Sequence, residues 1–336
     1  MKKALRYAAA GIGLLAAFIF LNNTTWLVFE RPAGPVLLAH RGLAQTYDPA
    51  GLENDTCTAT RIHPPEHPFL ENTLPSMRAA FAAGADIVEF DIHPTTDGHF
   101  AVLHDWTVDC RTEGHGVTRE HTLAALKALD VGYGYTADGG KTYPFRGRGI
   151  GLMPSLDEVL EAFPTRRFLI HIKSNDPAEG TKLAERLRQL PAERQARLIV
   201  YGGDAPVAVV RRELPAIPGM SRTTIKQCGL RYLAIGWTGY VPQACRNSLV
   251  LVPVNYAAWL WSWPDGFINR MRRVSTEVFV LGRYDGGDFS SGIDSADDLK
   301  RVAGWPRAGI WTNRIDRIAP LVRAARGQKQ AVGHAP

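Results

Sequence analysis

Glu89 and Asp91 stand one residue apart in the stretch Gly84–Asp105, GADIVEFDIHPTTDGHFAVLHD, which closes on a His104-Asp105 pair. Ile87, Val88, Phe90 and Ile92 are the β-branched and aromatic residues of a buried strand, and Thr96-Asp97-Gly98 is a turn signal. Residues i and i+2 of a strand share a face, so both carboxylates project together. Like charges so close repel unless a cation lies between them, which points to a hard-metal site. The competing reading is a turn cap beside an Arg-paired acid.

The elements that must position these groups alternate along the chain. Val36–Ala39 is a short apolar strand ending at His40-Arg41-Gly42, and Thr73–Ala83 reads as a helix with Pro75 in its first turn. Ser155 and Glu158 form a capping-box pattern ahead of a helix, and Phe168–Ile172 is a strand leading to Lys173. Further strands are expected at Leu198–Tyr201, Gly219–Ser221, Leu249–Val254, Glu277–Leu281 and Gly309–Trp311, with helices between. About eight β-then-α units predict a closed (β/α)8 TIM barrel rather than an open doubly wound sheet. His40, Glu89, Asp91, His104 and Lys173 all fall at or near expected strand C-termini, where such barrels keep their sites. No GxGxxG motif follows the first strand and no Walker A motif occurs, which argues against nucleotide binding.

These pieces together resemble the glycerophosphodiester phosphodiesterase family. The resemblance is carried by His40-Arg41-Gly42, Glu71-Asn72-Thr73, Glu89-Phe90-Asp91, Thr96-Asp97-Gly98, His104-Asp105, Arg111-Thr112, Met153-Pro154-Ser155-Leu156, Ile172-Lys173 and Trp311-Thr312-Asn313. It implies a TIM barrel and metal-dependent cleavage of a phosphodiester, either by water or by the substrate's own hydroxyl through a cyclic phosphate. It places the catalytic pair at His40 and His104, with His104 as base and His40 as acid. Arg41 and Lys173 would bind phosphate, and Glu89, Asp91 and Glu71 would be metal ligands, Glu71 alternatively orienting a catalytic group. Where the family carries a Glu two residues before the Lys, this sequence has His171. All-oxygen coordination would favour Mg2+ or Ca2+, whereas a His171 nitrogen would admit Mn2+ or Zn2+. The rival readings are a non-catalytic phosphodiester-binding pseudoenzyme and a sphingomyelinase-D-like enzyme.

Two stretches bear on the substrate. The long connection between His40 and Glu71 is expected to form a lid. Tyr256, Trp259, Trp261 and Trp263 could line an apolar subsite for lysophospholipid-type diesters or enter a membrane interface, unless they pack on a neighbouring helix.

The 336 residues are 45% apolar and 21% charged with a net charge of +6, an ordinary globular balance. The basic residues are scattered, which argues against a nucleic-acid surface, and nothing points to an obligate protein partner. Lys2, Lys3 and Arg6 precede an uncharged run from Ala8 to Leu21, the pattern of an export signal. With no A-x-A cleavage site, an uncleaved anchor over residues 1–30 is expected. It would hold a barrel over 31–325 and a tail over 326–336 on the periplasmic side, or release them if cleaved. Four cysteines suit an oxidising compartment, and of three pairings Cys57–Cys110 with Cys228–Cys245 would tie each loop region to its neighbour.

Overall fold

The computed structural model describes residues 2–28, 34–53, 55–286, 291–302, 304–305 and 307–332, with side chains as far as residue 326. Among the described residues nine strands form: β1 (Leu37–Ala39), β2 (Ile87–Pro94), β3 (Phe100–Val102), β4 (Arg167–Ile172), β5 (Leu198–Gly202), β6 (Gly219–Ser221), β7 (Leu249–Pro253), β8 (Glu277–Leu281) and β9 (Gly309–Thr312). Eight of them run parallel in the order β6-β5-β4-β2-β1-β9-β8-β7. The ladder's two ends approach where Gly219 N donates to Asn247 O at 3.3 Å and Ser248 Oγ donates to Gly219 O at 2.9 Å, so the (β/α)8 barrel is nearly closed. The expected fold is therefore observed.

Period-2 alternation separates two cores. Leu38, Ile87, Leu169, Ile199, Leu249, Phe279 and Trp311 fill the barrel interior, while Ala39, Val88, Ile170, Val200 and Val280 face the surrounding helices. One element departs from the βα alternation. β3 folds back antiparallel on β2, because Gly98 takes a φ of +87° and Thr95 N donates to His99 O at 2.9 Å to close a tight turn. His104 thus follows a hairpin strand outside the barrel rather than a barrel strand.

The connection after β1 packs into a second, smaller core. Ala59, Ile62 and Leu70 join Leu103, Val108, Leu126, Tyr135, Phe145 and Met153 from the segment after β3. The Cys57–Cys110 disulfide joins these two segments, and Cys228–Cys245 joins the helix Arg222–Ile235 to the turn Gln243–Cys245, as expected. Local signals also hold. Thr73 caps Leu74–Ala83, and Ser155 with Glu158 forms a reciprocal capping box on Leu156–Ala162.

The helix Lys2–Asn23 has 22 residues and a mean hydropathy of 1.9, long and apolar enough to cross a membrane, and none of its described residues is buried. The expected domain boundary at residue 30 lies outside the described residues. The last helix, Ile315–Val332, runs on through most of the expected tail, and residues 333–336 lie outside the described residues.

Candidate active site

Strand phase carries polar side chains onto the interior face at the C-terminal end of the barrel. Glu89 and Asp91 continue the row of Ile87, His171 and Lys173 that of Leu169, and Tyr201 that of Ile199. The register pairs Asp91 with His171 and His171 with Tyr201, so these three form one transverse row.

The two carboxylates are fully buried and differently held. Glu89 Oε1 accepts from Tyr201 Oη at 2.6 Å, and Oε2 accepts from the Arg41 amide at 3.0 Å. Asp91 Oδ1 lies 2.7 Å from His171 Nδ1, and Oδ2 accepts from Asn72 Nδ2 at 2.9 Å. Burial, then the Asp91 charge, raises the Glu89 carboxyl. Burial also pushes Asp91 up, but His104, Arg41 and Lys173 outweigh it and hold Asp91 well below the usual carboxylate range. Ligand atoms of Glu89, Asp91 and His171 lie within 4.8 Å of one another. Two buried carboxylates and an imidazole nitrogen in that space fit a divalent cation. Glu71 is not in this group. Its carboxylate accepts from Arg41 Nη1 at 3.1 Å and lies 3.2 Å from Arg111 Nη2, so it orients cations instead.

The cations are placed by backbone as much as by side chain. Arg41 has a φ of +55°, which turns its amide toward Glu89, while Gly42 at +83° lies so close to Ser76 that an added Cβ would meet Ser76 Oγ at 2.2 Å. His40-Arg41-Gly42 is therefore a tight-turn requirement as well as a chemical one. Arg41 Nε lies 3.5 Å from Asp91 Oδ2, and Lys173 Nζ lies 3.9 Å from Asp91 Oδ1. Burial lowers the Lys173 ammonium.

The two expected histidines are oriented by separate partners. His104 Nδ1 lies 2.8 Å from Asp105 Oδ1, and Asp105 Oδ2 accepts from Arg111 Nε at 2.8 Å. Arg111 is held in turn by Tyr135 and by Thr58. Burial, Arg41 and Lys173 lower the His104 imidazole. His40 Nδ1 lies 2.7 Å from Asn313 Oδ1, and Asn313 Nδ2 donates to Asp294 Oδ2 at 2.8 Å, which leaves the amide oxygen to accept. His40 Nε2 is 3.8 Å from Glu89 Oε2, and burial and Arg41 push its imidazole down to about 3.

His40, Arg41, His104, His171 and Lys173 line one cleft of about 610 Å³, which Leu52 and Glu53 of the long connection also border. Five of the eight expected site residues thus line this cleft, Glu89 and Asp91 are buried against Arg41, His171 and Lys173, and Glu71 lines a neighbouring pocket with His40 and Arg41. Sequence reasoning had not assigned Asn72, Asp105, Arg111, Tyr201, Asn313 or Asp294. Asn72, Asp105, Arg111 and Asn313 lay inside the motifs already quoted, whereas Tyr201 and Asp294 carried no signal. Of the aromatic run, Tyr256 and Trp259 are exposed, Trp261 Nε1 donates to Leu233 O at 2.8 Å, and Trp263 packs on Phe267 and Trp305. The run is therefore divided between open surface and helix packing.

Fold and cluster together define a (β/α)8 barrel whose functional groups gather at the C-terminal mouth. Residues 40–202 match the glycerophosphoryl diester phosphodiesterase family. A glycerophosphodiester phosphodiesterase of Caldanaerobacter subterraneus is 40% identical over 103 residues, 31% of this chain and 39% of that protein. One of Bacillus subtilis is 36% identical over 114 residues, 33% of this chain and 38% of that protein. The chain thus spans about two fifths of the length of these relatives. The fold is shared more widely. The corresponding domain of a Mycobacterium tuberculosis protein superposes with a TM-score of 0.60 at 17% identity, covering 88% of this chain and 99% of that one. An Oleispira antarctica phosphodiesterase, solved with its product sn-glycerol-3-phosphate, gives 0.53 at 17% identity, covering 88% and 97%.

Proposed function

We propose that this chain is a metal-assisted phosphodiesterase that hydrolyses glycerophosphodiesters to glycerol 3-phosphate and an alcohol. The observation that carries the reading is the convergence of two separately oriented imidazoles, two cations and a buried carboxylate pair on one cleft. The relatives named above and the product held by the Oleispira protein support it.

Asp105 keeps the His104 hydrogen on Nδ1, which leaves Nε2 to take a proton from the attacking water. Asp105 then faces the imidazolium that forms, and Arg111 fixes Asp105 in place. His40 acts as the acid for the leaving alkoxide. It is neutral in the free site, and the negative charge of a bound diester beside Nε2 favours its protonated form. Arg41 and Lys173 offset phosphate charge, Glu71 holding the Arg41 guanidinium in register. Glu89, Asp91 and His171 would hold a divalent cation, Mg2+ or Ca2+ with Mn2+ or Zn2+ admitted by the nitrogen. When bound it supplies charge that polarises the phosphoryl oxygen.

The helix Lys2–Asn23 is read as a signal anchor that keeps the barrel outside the cytoplasm, which the two disulfides support. The test is release of glycerol 3-phosphate from glycerophosphocholine by the full chain in detergent, with and without EDTA, and with His104→Ala. Turnover that survives both treatments, or folded protein with no turnover after metal add-back, overturns the reading.

A further inference from the structure

A second, predominantly apolar cavity of about 550 Å³ adjoins the catalytic cleft, within the roughly 300–1,000 Å³ typical of small-molecule sites. The two share Arg222, Ile225 and Leu251 as lining residues, so they lie side by side. Arg222 lines both spaces, whereas Lys226, Leu260 and Phe267 line this cavity and not the cleft, and among the described residues no carboxylate lines it. Gly229 widens it from the helix side, since a Cβ added there would meet nothing within 4 Å.

The outer lip is unusually apolar for surface. Trp259 is 72% exposed, Leu230 63% and Leu233 39%. Leu230 and Leu233 lie on the helix Arg222–Ile235, which leads directly to Trp237. There the apolar N-terminal helix joins the barrel. Phe18 stacks edge-on against Trp237 at 6.4 Å, Asn22 Nδ2 donates to Trp237 O at 2.8 Å, and Arg270 donates to Asn22 O at 2.6 Å. The cavity's lip thus lies on the helix whose end receives the apolar N-terminal helix.

We infer that this groove holds the hydrocarbon chain of a glycerophospholipid bearing a single acyl chain, with its phosphodiester in the catalytic cleft. The inference rests on the diesterase reading and names its substrate class. A water oxygen bonds to phosphorus as the phosphorus–oxygen bond to the head-group alcohol breaks. The water's proton passes to the site and one proton leaves with the alcohol, giving an acylglycerol phosphate. A volume of about 550 Å³ with a predominantly apolar lining suits one hydrocarbon chain.

The test measures kcat/KM of the full chain for glycerophosphocholine and for monomeric 1-acyl-glycerophosphocholines of increasing chain length. Each methylene moved from water into the groove should raise kcat/KM about fourfold until the groove is filled. Gly229→Leu fills the space on a helix that tolerates leucine, and the ratio of acylated to unacylated turnover should then fall to near one. Glycerophosphocholine turnover without any rise with chain length overturns the groove and leaves the diesterase reading intact. If neither substrate is turned over, the diesterase reading fails and the groove is judged by binding. A non-hydrolysable single-chain ether analogue should then change tryptophan fluorescence in the wild type and not in Gly229→Leu, and no change in the wild type overturns the inference.

Discussion

Asn72 and Asp91 grip one another reciprocally: the Asn72 amide donates to Asp91 Oδ2 at 2.9 Å, and Asn72 Oδ1 accepts from the Asp91 backbone amide at 3.1 Å. Asn72 does so from a left-handed φ of +60°, a conformation that asparagine tolerates better than most residues. The clamp ties the entry of the first barrel helix to the carboxylate strand, 19 residues apart in sequence.

Asn72→Ala should therefore lose both bonds and leave a buried carboxylate oxygen unmatched. The expected cost is about 1–3 kcal/mol, with a further ~1 kcal/mol for alanine in the left-handed region. Asp91 would also be held less firmly, weakening divalent-ion binding about 10–100-fold. Urea unfolding and calorimetric ion titration measure the two effects, and wild-type values in both would refute the clamp.

Removing the proposed base should cost about 10²–10⁴ in kcat, so His104→Ala sets the floor. Asp105→Asn should fall between that floor and the wild type, because an amide facing Nδ1 no longer selects the tautomer that leaves Nε2 free. Steady-state kinetics at saturating metal reads this. An Asp105→Asn enzyme at full rate would remove Asp105 from the mechanism.

Ion binding is expected to stabilise the fold as well as activate it. At an ion concentration a hundredfold above Kd the gain is about 2.7 kcal/mol, visible as a shift in unfolding midpoint that EDTA reverses. His171→Glu restores an oxygen donor and should move preference from Mn2+ or Zn2+ toward Mg2+ or Ca2+. Unchanged preference in thermal-shift titrations would place His171 outside the ligand set.

Acid should act on the Asp105–Arg111 pair in a defined direction. Burial raises the Asp105 carboxyl, but Arg111 and then His104 outweigh it, and the group sits well below the usual carboxylate range. A depressed folded pKa means stability that is fully present above the unfolded value of about 3.9 and is lost as pH falls toward the folded one. Urea midpoints followed from about pH 5 down to about pH 2 should drop more steeply for the wild type than for Asp105→Asn. Parallel curves would show that the pair contributes nothing.

Much of this was legible in the chain. Alternating apolar runs set the barrel, and because side-chain direction in a strand has period two, Glu89 with Asp91 and His171 with Lys173 had to share a face. The caps at Thr73 and Ser155 and the turn at Gly98 depend on a few adjacent residues, so local chemistry sufficed for them. The hairpin strand Phe100–Val102 was harder, since pairing direction depends on which neighbour it meets, and the same run would serve a parallel strand.

Placement across the barrel was decided only by tertiary structure. Asp91, His171 and Tyr201 share a row because of strand register, which separates residues 80 and 30 apart in sequence by one strand spacing each. Glu71 carries the composition of a ligand, yet Arg41 and Arg111 reach it first, and no local pattern announces that competition. The groove beside the cleft is likewise made by a helix, a strand and a turn brought together around Gly229. A sequence specifies which side chains can do chemistry and which face they take. Only the closed barrel fixes the distances at which they meet, because each distance spans elements whose relative position is set by the packing of the whole core.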